Sequence, residues 1–172
     1  GWGTGGTLTG AGKTLKSARP DLKIIATEPE QAALLSGGDW SPHKIQGWTP
    51  DFIPEVLEKD IADQVIPVND DESIKTSLAL AKAEGIFVGI SAGATVNAAL
   101  KVAETAGPGS VLLAMLPDTA ERYLSTPLFA EINDCTCCVL ESRTSPHFFR
   151  WYISSDDIVC MICDNEWDIC LT

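Results

Sequence analysis

The chain has 172 residues, of which 45% are hydrophobic and 21% charged, a composition typical of a folded domain with a core of its own. Its net charge of −12 argues against a nucleic-acid surface, because phosphate contacts need clustered Lys and Arg side chains. There is no apolar run long enough to predict a membrane span, and no basic, apolar leader. We therefore expect a cytoplasmic protein, with an organellar form left open, and neither nucleic-acid nor membrane partners.

A glycine-rich loop, residues 3–7 (Gly-Thr-Gly-Gly-Thr), leads directly into a predicted helix over residues 8–18. Glycines let the backbone turn tightly and bring its N–H groups close to a ligand. The N-terminus of the helix adds unpaired N–H donors and partial positive charge. The loop therefore predicts a phosphate-binding site, and the alternative is a glycine-rich turn without a ligand.

Predicted strands and helices alternate along the next hundred residues. Strands are predicted over residues 23–28, 64–68, 86–88 and 111–116, and helical segments over 29–36, 54–59, 73–84 and 94–106. Asn69 is the predicted N-cap of the helix that includes residues 73–84, with Glu72 at capping-box spacing, and Gly85 is the predicted end of that helix. This alternation predicts an α/β fold with a mostly parallel sheet and flanking helices. Ligands in such folds bind at the carboxyl ends of the strands.

Two phosphate ligands fit the opening loop. Residues 1–6 match the G-x-G-x-x-G pattern of dinucleotide-binding folds, and Glu28 follows the next predicted strand about 20 residues later. That pattern should follow a strand, however, and no strand precedes it in this sequence. The other interpretation is a single phosphate monoester, such as the phosphate of pyridoxal phosphate.

Five motifs within residues 1–132 occur in the order and spacing of one known family. They are GTGGTLTG at 3–10, PHKIQG at 42–47, FIP at 52–54, GISAGA at 89–94 and LPDTAERYLST at 116–126. Together they resemble cysteine synthase (O-acetylserine sulfhydrylase), one of the fold-type II pyridoxal-phosphate enzymes. Ala120 stands where that family usually has glycine. The resemblance implies the large-domain part of this fold, incomplete at its N-terminus, as a domain over residues 1–132.

The resemblance also implies a role for each matched position. The phosphate of pyridoxal 5'-phosphate would be bound by Gly3, Thr4, Gly5, Gly6 and Thr7. Ser91 would hydrogen-bond the pyridine nitrogen, and Gly47 would lie next to the substrate. From the residues alone, Ser91 could equally be a helix N-cap and Gly47 a plain loop glycine. A neutral hydroxyl at Ser91 makes the ring a weaker electron sink than a carboxylate would, which suits loss of a β-substituent.

The activity implied is synthesis of cysteine and acetate from O-acetylserine and sulfide, in cysteine biosynthesis. An alternative enzyme is a cystathionine β-synthase, which shares the phosphate loop and the serine. An alternative of another class is a non-catalytic module that binds serine acetyltransferase. The intact enzyme would be a homodimer.

The resemblance places the lysine that forms the Schiff base with the cofactor in an N-terminal half that this sequence lacks. We therefore assign no catalytic residue in this chain, and we expect it to be the C-terminal half of the enzyme, inactive alone. The strand that should precede Gly3 lies in the same missing half, so we expect exposed strand edges.

Residues 133–172 do not resemble the family and contain all six cysteines, at positions 135, 137, 138, 160, 163 and 170. The pairs Cys135/Cys138 and Cys160/Cys163 come close to the spacing of a four-cysteine zinc site. The separation between the pairs is slightly long, and two cysteines are left over. We favour a metal-free, disordered or non-native extension, and assign no metal site.

Overall fold

The computed structural model describes residues 1–129, 149–153 and 158–163. The helices are α1 (Gly6–Ala18), α2 (Asp70–Glu84) and α3 (Ile90–Ala103). The strands are β1 (Ile25–Pro29), β2 (Gln64–Val68), β3 (Val111–Met115), β4 (Phe149–Ile153) and β5 (Ile158–Cys163). Short 3-10 turns cover Lys59–Ile61, Ala120–Tyr123 and Pro127–Phe129.

The strands form two sheets. β1 and β2 are parallel, in a register that runs from Ile25 opposite Gln64 to Pro29 opposite Val68. The second sheet has the order β3-β5-β4 and is antiparallel. The α/β class and the parallel pair confirm the predicted fold class. The antiparallel part was not predicted, because β5 comes from the tail and its pairing with β3 has no local sequence signal.

Helices α2 and α3 pack closely against each other. A Cβ atom on Gly93 would lie 2.2 Å from the carbonyl oxygen of Ser73, so only glycine permits this approach. The Ser77 hydroxyl donates to the carbonyl of Val88 at 2.6 Å and joins α2 to the segment before α3. Two clusters of buried hydrophobic residues lie around these helices. One contains Leu80, Ile86, Val88, Ala92, Val96, Ala114 and Leu116, and the other Ile45, Val68, Ile90, Ala94, Ala98, Tyr123 and Leu128.

The ends of α2 agree with the sequence. The Asn69 side chain accepts hydrogen bonds from the N–H groups of Asp71 (2.9 Å) and Glu72 (3.3 Å). Gly85 ends the helix in the left-handed conformation, at φ 70°. Both ends were predictable because each depends on one residue acting on its own neighbours.

The helix predicted over residues 29–36 was wrong. The segment forms turns after β1, because the buried Glu28 carboxylate accepts the N–H groups of Leu35 and Ser36, both at 2.9 Å. Residues 86–88 were predicted as a strand and form only an isolated bridge, between Val88 and Thr119. In the part of the chain described, no helix combines the length and apolar character needed to cross a membrane.

Candidate functional site

The opening loop turns into α1 at Gly6, two residues earlier than predicted. Gly5 is the N-cap residue and has a φ of 81°, in the left-handed region. A Cβ atom at Gly5 would also lie 2.5 Å from Cβ of the buried Leu57. The loop conformation therefore requires glycine at this position for two independent reasons.

The first turn of α1 presents unpaired donors. The N–H of Thr9 bonds to the carbonyl of Gly5 at 2.9 Å, whereas the N–H groups of Thr7 and Leu8 have no partner among the described residues. The first turn contains no acidic side chain. Such a helix start can bind an anion, with the hydroxyls of Thr4 and Thr7 beside it.

A cavity of about 380 Å³ brings the loop and Gly47 together. Its lining residues are Gly3, Thr4, Gly47, Trp48, Pro50, Phe52 and Pro54. A Cβ atom on Gly3 would lie 2.3 Å from the carbonyl oxygen of Gly47, so the two backbones are in direct contact. The structure thus places the predicted phosphate loop and the predicted substrate-proximal glycine at one cavity.

The 47–54 segment forms the opposite wall of this cavity. Gly47 has a φ of 79°, and no atom lies within 4 Å of where its Cβ would be. Trp48 and Phe52 supply aromatic surface, and Phe52 is 61% exposed. Neither side chain was assigned a role from the sequence, although FIP at 52–54 was one of the five matched motifs.

The backbone of this wall turns at Thr49, a buried residue with a φ of 29°. Its carbonyl accepts the indole N–H of Trp40 at 3.0 Å, and Nε2 of His43 lies 3.3 Å from the same oxygen. Its N–H donates to the carbonyl of Trp2 at 2.9 Å. These contacts fix an unfavourable backbone conformation and join the wall to the start of the chain.

Lys44, three residues before this wall begins, ties the chain to the start of α2. Its N–H donates to the buried Asp70 carboxylate at 2.7 Å, and its ammonium lies 2.7 Å from Asp71. The ammonium lowers the pKa of Asp71, and the carboxylate in turn raises the pKa of Lys44. Lys44 is therefore paired within this structure.

Ser91 is buried at the second position of α3. The N-cap of α3 is Gly89, so the interpretation of Ser91 as a helix N-cap was wrong. The Ser91 hydroxyl points to Oδ1 of Asp118, with the two oxygens 3.5 Å apart. Ser91 is not among the residues that line the cavity beside Gly3 and Thr4, and neither are Gly5, Gly6 and Thr7.

Asp118 also accepts a hydrogen bond from the Tyr123 hydroxyl, through its other oxygen. Burial, and then this bond, raise the pKa of Tyr123 to about 12. The edge of the Tyr123 ring and Oδ1 of Asp118 would both collide with a Cβ on Gly89, at 2.4 and 2.7 Å. Asp118 and Tyr123 lie within one of the five matched motifs, but their contact with Ser91 and with each other has no signal in the sequence.

Glu28 does not serve as the ribose-binding carboxylate of a dinucleotide fold. It is completely buried, and its oxygens accept the indole N–H of Trp2 at 3.3 Å and the two backbone N–H groups of the following turn. Its hydrogen-bonding capacity is used inside the protein. Glu28 is therefore not available to bind the ribose of a dinucleotide, and the dinucleotide interpretation has no ribose-binding carboxylate at this position.

The predicted four-cysteine pattern of the tail lies partly outside the described residues. Cys135 and Cys138 lie outside the described residues, and Cys160 and Cys163 are part of β5. Among the described residues, no group of three or more His, Cys, Asp or Glu side chains could hold a metal ion.

Comparison with known proteins gives a consistent result. The chain is 54% identical over 134 residues to O-ureido-L-serine synthase of Streptomyces lavendulae (78% of this chain, 41% of the relative). It is 48% identical over 130 residues to cysteine synthase of Staphylococcus aureus (76% and 42%). The crystal structure of O-acetylserine-dependent cystathionine β-synthase from Helicobacter pylori is 40% identical, with a TM-score of 0.70, and covers 75% of this chain and 42% of that one.

The chain thus spans about two fifths of the length of these relatives. The family model for "Pyridoxal-phosphate dependent enzyme" matches residues 1–118, which is more than half of the chain. That match contains the phosphate loop, the wall at 47–54 and Ser91. The chain therefore belongs to the family of pyridoxal-phosphate-dependent enzymes.

Proposed function

We propose that this chain forms part of an enzyme that makes cysteine and acetate from O-acetylserine and sulfide. Residues 1–132 would be the enzymatic portion. The observation that carries the proposal is the cavity lined by Gly3, Thr4 and Gly47, where we place the cofactor loop beside the substrate position. The similarity to cysteine synthase supports this choice of reaction.

The residues of the opening loop fit the phosphate of the cofactor. The N–H groups of Thr7 and Leu8 are unpaired in the described structure, and the absence of side chains at Gly3 and Gly5 lets the loop pack closely against Gly47 and Leu57. Together with Gly6 and the hydroxyls of Thr4 and Thr7, they would bind the phosphate dianion. When bound, pyridoxal phosphate supplies the electron sink that lets the β-substituent of an amino acid leave.

Ser91 would hydrogen-bond the pyridine nitrogen of the cofactor. The Asp118 carboxylate, 3.5 Å from the Ser91 hydroxyl, would hold this side chain in place beside the ring. A neutral hydroxyl stabilises a positive ring nitrogen less than a carboxylate does. The cofactor ring is then a weaker electron sink, which suits loss of a β-substituent such as acetate. Gly47 would leave space for the amino-acid substrate, because no side chain or neighbour fills that volume.

A second product is favoured by a specific observation. The chain is more similar to O-ureido-L-serine synthase (54% identity) than to cysteine synthase (48%). O-ureido-L-serine is therefore the second candidate, and cystathionine the third, since a cystathionine β-synthase is also among the similar structures. A homodimer, and binding of serine acetyltransferase, remain proposals for the intact enzyme.

Cofactor binding is tested on this chain by quenching of tryptophan fluorescence with pyridoxal phosphate and with pyridoxal, which lacks the phosphate. We expect tighter binding of the phosphorylated form, and we expect Thr7→Val to reduce that difference by removing one of the two threonine hydroxyls. Thr14→Val is the matched control, because Thr14 lies in the same helix and its hydroxyl bonds to the carbonyl of Gly10. Equal binding of the two compounds would contradict the assignment of the loop.

The reaction is tested by supplying O-acetylserine and sulfide and measuring cysteine. We expect none from this chain alone. We expect cysteine when the chain is joined to the part of the Staphylococcus aureus cysteine synthase that lies outside the match. In parallel assays, hydroxyurea or homocysteine replaces sulfide as the group that displaces acetate. Formation of O-ureido-L-serine or cystathionine in these assays, with no cysteine formed from sulfide, would transfer the assignment to the second or third candidate.

A further inference from the structure

The Asp118 carboxylate lies between two hydroxyl groups. Its Oδ1 is 3.5 Å from the Ser91 hydroxyl, and its Oδ2 accepts a hydrogen bond from the Tyr123 hydroxyl. The contact with Ser91 is longer than an ordinary O–H···O bond, so its main effect is electrostatic. Ser91, a buried side chain, therefore has a negative charge directly beside its oxygen.

Backbone contacts on both sides hold Asp118 in this position. Its carbonyl accepts the N–H of Gly89 at 3.4 Å, and the N–H of Ala120 donates to the carbonyl of Phe87 at 3.2 Å. A Cβ atom on Gly89 would lie 2.7 Å from Oδ1 of Asp118, so only glycine leaves room for the carboxylate here. The place of the charge is thus set by the backbone and does not depend on the Tyr123 bond alone.

No neighbouring cation pairs with this carboxylate. Among the described residues, the ion pairs of the chain do not include Asp118. The first turn of α3 has no acidic side chain, and its N–H groups contribute only a partial positive charge. Burial and the bond to Asp118 raise the pKa of Tyr123 to about 12, while Arg122 acts in the opposite direction. Tyr123 therefore stays protonated around neutral pH and remains a donor to Asp118.

We propose that Asp118 is a positioning residue that acts through Ser91 to keep the pyridine nitrogen of the cofactor protonated. This rests on the proposed function, in which Ser91 contacts that nitrogen. Ser91 has a single hydroxyl proton, and when this proton is directed to Asp118 the oxygen accepts from a protonated ring nitrogen. A negative charge nearby favours the protonated form. Asp118 thereby restores part of the electron-withdrawing strength that a neutral hydroxyl alone does not provide.

The test measures proton binding at the ring nitrogen of pyridoxal phosphate bound to this chain, by nitrogen-15 NMR of the labelled cofactor over a range of pH. Asp118→Asn keeps the shape of the side chain and removes its charge. We expect it to weaken proton binding at the nitrogen about tenfold. Ser91→Ala should have a similar effect, and the double variant should add little, because the two residues act in one series of contacts.

Two control variants separate charge from packing. Tyr123→Phe removes the other bond to Asp118 and leaves the charge beside Ser91. Asp63→Asn removes a charge elsewhere, from a carboxylate that pairs with Lys16. We expect neither control to change proton binding at the ring nitrogen. Should Asp118→Asn fail to fold, Asp118→Ser repeats the test with a smaller neutral side chain.

Each result assigns the effect to one cause. Unchanged proton binding in the Asp118 variant, with a decrease in Ser91→Ala, would overturn this proposal and leave the placement of the cofactor intact. An equal decrease in Tyr123→Phe would attribute the effect to packing and would also overturn it. No change in Ser91→Ala, or no binding of pyridoxal phosphate to the chain, would contradict the proposed function and this proposal with it.

Discussion

Gly5→Ala should destabilise the protein through both of the constraints that act on this residue. A Cβ atom in the left-handed region costs about 1–2 kcal/mol. At Gly5 that atom would also lie 2.5 Å from Cβ and 2.8 Å from Cδ1 of Leu57. Because Leu57 is buried and held by its surroundings, we add the overpacking cost of about 1–3 kcal/mol. The expected loss in free energy of unfolding is therefore about 2–5 kcal/mol.

Gly85→Ala separates the two contributions. Gly85 has a similar φ of 70°, but no atom lies within 4 Å of where its Cβ would be. It should therefore lose only the conformational part, about 1–2 kcal/mol. Urea denaturation followed by tryptophan fluorescence gives both values, provided that the slope of the transition is unchanged.

A double variant tests the mechanism directly. Leu57→Ala removes the atoms with which the new Cβ collides, so Gly5→Ala should cost less in that background, by about 1 kcal/mol or more. If Gly5→Ala and Gly85→Ala cost the same, and Leu57→Ala changes neither, the account of the loop as a tightly packed backbone turn is refuted.

Two further predictions concern buried polar groups. Glu28→Gln should lower the free energy of unfolding by about 1–3 kcal/mol, since it weakens three hydrogen bonds to a buried carboxylate. Glu30→Gln, on an exposed side chain that accepts only from Asn69 among the described residues, should change the free energy of unfolding by less than about 0.5 kcal/mol in the same denaturation assay. Tyr123 should titrate near pH 12 by phenolate absorbance, and Asp118→Asn should lower that pKa. Because the folded pKa lies above the ordinary value of 10, stability should fall between about pH 10 and 12, and Tyr123→Phe should remove that decline.

The parts of the fold that depend on neighbouring residues were predictable from sequence. The N-cap at Asn69 and the left-handed end at Gly85 each act within one helical turn. The turns after β1 were not predictable from sequence. They form because the N–H groups of Leu35 and Ser36 donate to the Glu28 carboxylate, and this carboxylate becomes buried only when the chain folds. The partner of β3 was not predictable either, since strand pairing depends on contacts between distant segments.

The candidate site also combines features set by neighbouring residues, which were predictable, with features set by distant segments, which were not. The loop at residues 3–7 was recognisable because its glycines and threonines are adjacent in sequence. The contact between Gly3 and Gly47, and the aromatic wall of Trp48 and Phe52, arise from segments about 45 residues apart. Their positions could be assigned by resemblance, but their geometry required the folded chain.

The central claim is that the start of α1 binds the phosphate of the cofactor. It is tested most directly by the backbone amide NMR shifts of this chain during titration with pyridoxal phosphate. The start of α2 is an internal control, since its N–H groups are capped by Asn69 and its first turn contains three acidic residues. We expect the largest shifts at Thr7 and Leu8, and none at Asp71 and Glu72. Shifts of equal size at both helices, or none at Thr7 and Leu8, would contradict the claim.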